Sequence, residues 1–132
     1  MKSVIVAAAL FLIAVTFVGV NYFVLDNFFD DLGGELKMLP VDAAELEAMD
    51  EASLSEVHER LQRIHKKWEK HETYICLSLP HNMSREFSNG FMPAIAYFEA
   101  GDYAGFVAGI RSAEDVLEHM AYDESVRIGN IF

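Results

Sequence analysis

The sequence predicts an all-α protein: an N-terminal transmembrane helix followed by a small three- to four-helix bundle of two αα-hairpins. Three observations carry that prediction. Residues Ser3 to Leu25 contain no charge, apolar residues then recur at steps of three and four, and no pair of alternating segments offers a sheet. The chain has 132 residues and a net charge of −11, with all 21 acidic residues after the apolar run. That length holds one domain at most. So acidic a chain lacks the basic face that a nucleic-acid partner requires. Its single Cys excludes an intramolecular disulfide.

The first element is the anchor, 1–25. Its 23 uncharged positions reach about 34 Å as a helix, enough for a hydrocarbon core of about 30 Å. Tyr22 and Phe23 stand where an interfacial aromatic belt would lie, and Asp26 opens the polar flank. A cleaved signal peptide needs a shorter apolar core and small residues before the cut. An uncleaved span is therefore expected. Lys2 precedes it and the next basic residue is Lys37, which places the N-terminus in the cytoplasm and the remainder outside the cytoplasmic membrane.

A juxtamembrane stem, 26–41, follows. Gly33-Gly34 and Pro40 are expected to bend or stop the anchor helix there, although Asp26 to Leu32 could extend it. The extracytoplasmic helical domain is 42–132. It opens with a short helix, Asp42–Met49. The next helix is expected from Ser53, which forms a capping box with Glu56, to Leu79, with Pro80 as its stop. Leu54, Val57, Leu61, Ile64, Trp68, His71 and Ile75 mark its inner stripe. Ser84 can cap a third helix, Arg85–Ala100, which Pro93 is expected to kink or delay. Gly101 and Asp102 end that helix and start the last, Tyr103 to about Ala121. Glu47-Ala48-Met49-Asp50-Glu51-Ala52-Ser53-Leu54 and Glu99-Ala100-Gly101-Asp102-Tyr103-Ala104-Gly105-Phe106 share one pattern of helix end, Asp cap and small Ala. Either a duplication or ordinary helix-turn-helix grammar produces it. The terminal Ile131-Phe132 is expected to dock on the bundle or on a partner.

These features together resemble a bacterial family, the domain-of-unknown-function family 4363, over nearly the whole chain. The resemblance lies in Met1-Lys2-Ser3 opening into the anchor, Lys66-Lys67-Trp68-Glu69-Lys70, Leu79-Pro80-His81, Ala96-Tyr97-Phe98-Glu99-Ala100-Gly101-Asp102, Leu117-Glu118-His119-Met120 and Asn130-Ile131-Phe132. Gly90 and Pro93 depart from it, interrupting a helix that is otherwise regular. The resemblance implies a small single-span membrane protein with no assigned activity. Members tend to be encoded beside YetF-like membrane proteins, which makes such a protein the implied partner.

Chemistry is sparsely provided for. Asp115 and His119, four apart on one helix face, are the candidate metal ligands, and His58 and His65 are nearly in phase two turns apart. No Glu-x-x-His pair exists to build a di-metal bundle. Cys76 adjoins the apolar stripe and reads as a packed small residue, or as an exposed thiol open to an intermolecular disulfide. No Gly-x-Ser-x-Gly elbow and no phosphate loop occurs. No catalytic residue and no cofactor are expected. Arg60, Arg63, Lys66, Lys67 and Lys70 form a basic cluster, which interleaved acids pair with or on which the acidic segment 26–51 folds back.

The leading functional expectation is a membrane-anchored interaction module of the cell envelope that binds another envelope protein or itself. Its candidate surface is Trp68, Phe91, Phe98, Ile131 and Phe132, apolar residues that a domain this small has difficulty covering. The alternative is an extracytoplasmic ligand- or metal-binding sensor built around His71, Asp115 and His119.

Overall fold

The computed structural model describes residues 1–131, apart from the side chains of residues 127, 128 and 131. The described chain is all α-helix and turn, with no strand. Its helices are α1 (Lys2–Lys37), α2 (Ala43–Glu47), α3 (Glu51–Ser78), α4 (His81–Glu99) and α5 (Tyr103–Ile131).

Helix α1 does not stop at the glycine pair. It continues through Gly33 and Gly34 to Lys37, and Pro40 falls beyond its C-cap, Met38. Residues 26–37 of the segment read as a stem are the last part of a 36-residue helix. Leu25, Phe28, Phe29, Leu32 and Leu36 recur on one face and are buried in the bundle core. Two helical glycines cost about 1 kcal/mol each, whereas each buried Leu or Phe contributes about 1.5–3 kcal/mol. Burial outweighs the glycines.

The lower part of α1 is thus the first member of an up-down-up-down bundle. Arg60 pairs with Glu35, Lys67 with Asp31, and Ser78 with Asn21, so α3 runs antiparallel to α1. Its buried stripe is Val57, Leu61, Ile64, Trp68 and Ile75, as the spacing predicts, with Leu54 and His71 half-buried at its edge. Helix α4 returns beside α3, and α5 runs back beside α4 and α1. The short α2, capped by Asp42 Oδ1 accepting from the Ala44 amide at 2.9 Å, packs on α5.

Several boundaries differ from the sequence reading for local reasons. Helix α3 starts one turn before Ser53, because the Asp50 carboxylate accepts from the Ser53 amide at 2.8 Å and so takes the cap. Hydrogen bonding to the Ser53 side chain, then to its amide, holds the Asp50 carboxyl below its usual range. Asp102 does the same for α5, accepting from the Gly105 amide at 3.0 Å after Gly101 turns at φ +77°. Both Asp residues of the repeated pattern are therefore caps. Helix α4 begins at His81 instead of Arg85, which puts Ser84 inside the helix and buries it. Pro93 lies within α4 on an exposed position, and Asn89, whose carbonyl loses an amide partner, is exposed as well. Helix α5 continues past Ala121 to Ile131.

Helices α4 and α5 make the most extensive contact in the molecule. A Cβ on Gly109 would stand 2.7 Å from the Ala94 Cβ and 2.9 Å from the Gly90 carbonyl oxygen. Only glycine at position 109 permits that approach. Gly90, which interrupts the expected third helix in sequence, is the opposite wall of the same contact.

Candidate functional site

The largest uncovered feature is the first two-thirds of α1. Val4, Ile5, Leu10, Phe11, Leu12, Ile13, Phe17, Val20 and Phe23 all project outward, and the most apolar window of the helix has no buried residue. A continuous apolar surface of this kind is far beyond what a water-exposed domain tolerates. The helix is long and apolar enough to cross a membrane, and it is the one candidate span among the described residues.

The expected interaction residues are distributed differently. Trp68 (2 % exposed), Phe91 (0 %) and Phe98 (7 %) are core residues, not surface. The Trp68 ring lies 4.1 Å from Phe87, and its indole N–H donates to Ser88 Oγ at 3.2 Å, which satisfies its only polar atom. Phe91 stacks on Phe87 at 5.5 Å, and Phe98 packs against Phe106 at 5.2 Å. Lower α1, which the sequence reading assigned to a stem, meets Trp68 through Phe28 at 6.3 Å, while Phe98 is covered by Tyr103 and Phe106 of α5. The candidates Ile131 and Phe132 lie outside the described residues for any statement about their side chains.

The candidate ligands do not converge. His119 donates from Nδ1 to the Asp115 backbone carbonyl at 2.8 Å, and both side chains are exposed on α5. His71 stacks on Phe28 at 4.4 Å between ring centroids and donates to the Lys67 carbonyl at 2.9 Å. His58 meets Glu99 at 3.0 Å, while His65 meets Glu69 at 3.4 Å. Among the described residues no three His, Cys, Asp or Glu side chains gather as a metal set. Cys76 is a free, half-buried thiol.

The basic cluster of α3 meets the acids of lower α1. Lys67 Nζ reaches Asp31 at 2.8 Å and Glu35 at 3.7 Å, and Arg60 reaches Glu35 at 3.1 Å. Hydrogen bonding to Asp31 pushes the Lys67 ammonium above its ordinary range. On the other side of α1, an open groove of about 340 Å³ separates it from α5. Phe29, Gly33 and Leu117 line its apolar part, with Asp30, Lys37, Glu114 and Glu118 about the rim. Burial, then the neighbouring Glu118 charge, raises the Glu114 carboxyl above the usual Glu value. Among the described residues, those lining the groove include no His, Ser, Thr or Cys beside that carboxylate.

Sequence spacing could have revealed the lower part of α1, because Leu25, Phe28, Leu32 and Leu36 already have helical period. The long uncharged run before them hides that signal. No protein-family model, curated protein or solved structure matches the chain.

Proposed function

We propose that this protein is a membrane-anchored helical interaction module of the bacterial cell envelope, without catalysis of its own. Helix α1 anchors it in the cytoplasmic membrane with the N-terminus inside and the bundle outside. One observation carries the reading: a sleeve of outward, mainly apolar side chains along residues 3–24 that continues, without a break in the helix, into the bundle core. Lys2 before the sleeve, with no further basic residue until Lys37, supports the orientation.

With Trp68, Phe91 and Phe98 inside the core, the apolar surface open to a protein partner lies along α1 itself. The partner is then another membrane span, either a second copy or an envelope protein. The resemblance to family 4363 makes a YetF-like membrane protein the first candidate. The sensor alternative draws no support from His71, Asp115 and His119, which occupy separate places on α3 and α5.

The test is a photocrosslinking residue at Phe11 in native membranes. The expected result is a discrete adduct, with one membrane protein or with a second copy, from a chain that resists alkaline extraction. Lipid adducts alone would remove the interaction reading. Release at alkaline pH would remove the anchor.

A further inference from the structure

The hydrogen bonds between Asn21 and Ser78 fix the height of the α3–α4 turn on α1. Asn21 Nδ2 donates to Ser78 Oγ at 3.1 Å, and Ser78 Oγ donates back to Asn21 Oδ1 at 3.2 Å. Asn21 belongs to the uncharged run, five residues before Asp26, which is about 7.5 Å along a helix. The turn therefore reaches back past the first charge of α1, alongside the apolar sleeve.

The composition of the turn matches that position. Thr73 to Met83 contains no Asp, Glu, Lys or Arg. Counting up from the turn, the first charge on α3 is Glu72, about 9 Å above Ser78, and the first on α4 is Arg85, about 6 Å above His81. Three neighbouring helices therefore begin their charged surface at nearly one height. Below that height, Leu77 at the tip is 83 % exposed, more than any other large apolar side chain after α1 among the described residues. A Leu left in water at the end of an acidic bundle is unfavourable compared with one that is buried.

We infer that the α3–α4 turn, with Leu77 at its tip, sits in the headgroup–acyl boundary of the same bilayer that holds α1. The bundle then stands on the membrane surface at a fixed depth instead of moving freely above it. Lipid is the occupant because the turn is bonded to a residue of the apolar sleeve and shares its lack of charge. This inference rests on α1 being a span, and its test separates the two.

The full chain, carrying Cys76→Ser, is reconstituted in phosphatidylglycerol–phosphatidylcholine vesicles with a nitroxide at Leu77→Cys, Phe11→Cys or Ser55→Cys. Leu77 and Ser55 are exposed, so neither label enters the core. Collision with oxygen reports lipid, and collision with a water-soluble nickel chelate reports solvent. Position 77 is expected to meet oxygen freely and the chelate at least about fivefold less than position 55. Equal chelate access at 77 and 55, with position 11 in lipid, would overturn the inference and leave the anchor standing. Chelate access at 11 would overturn both. Shielding of 77 from both reagents, with spin–spin broadening that vanishes on dilution with unlabelled chain, would assign the turn to a second copy and also overturn it.

Discussion

The two parts of α1 belong to one helix and obey different rules. Residues 3–24 carry no charge and bury no side chain, whereas residues 25–37 bury Leu25, Phe28, Phe29, Leu32 and Leu36 and turn Asp26, Asp30 and Asp31 outward. A bilayer solvates a helix all round and so imposes no period. A bundle covers one face only and imposes a period of 3.6. The transition at Leu25 marks where the bundle begins to cover one face of α1, with no break in the helix.

The sharpest way to break this comparison is a pair of matched truncations. Leu32→Ala removes a side chain with no exposure and is expected to cost the bundle about 2–5 kcal/mol. Leu12→Ala, in the upper part, is expected to change bundle stability by less than about 0.5 kcal/mol. Urea unfolding of the detergent-solubilised chain, followed by helical circular dichroism, checks both. Equal losses would mean that the two parts are not distinct.

Gly34→Ala is expected to stabilise the protein. A Cβ there meets nothing within 4 Å, and Ala is the better helix former by up to about 1 kcal/mol. A loss of stability in the same assay would restore Gly34 as a functional bend. A smaller effect tests the charged face of lower α1. Lys67→Ala removes the contacts to Asp31 and Glu35, which are partly solvated and worth about 0.2–1 kcal/mol together. The loss should shrink in 1 M salt.

The smallest effect concerns the groove beside α1. The folded protein raises the Glu114 carboxyl above its unfolded value near 4.5. The unfolded chain therefore releases that proton first, and ionisation of Glu114 opposes folding. The favourable contribution of the protonated acid is complete below pH 4.5 and disappears as pH rises through the folded value. Glu114→Gln is accordingly expected to raise the melting temperature at pH 7 relative to the parent chain. That advantage should vanish at pH 4, as a melting series across this range would show.

Much of this architecture was legible before any coordinates. The three-and-four stripe from Val57 to Ile75 named the inner face of α3, and Asp50 and Asp102 announced their caps. The uncharged run from Ser3 to Leu25 defined the sleeve. Other points were misread because local signals competed. Ser53 with Glu56 resembled a capping box, yet the Asp50 carboxylate, a stronger acceptor one turn earlier, took the amide. Ser84 resembled a cap and is instead buried within α4.

What the sequence determined by itself was periodicity and solvent preference: which faces are apolar and which stretch can dissolve in lipid. Only the tertiary structure decided what covers each face. Trp68, Phe91 and Phe98 would read the same whether buried by a partner or by their own chain, because an apolar pattern records a preference for leaving water and not the neighbour that supplies shelter. Gly33-Gly34 likewise permits a break, and the five buried side chains of residues 25–36 made the uninterrupted helix the lower free energy.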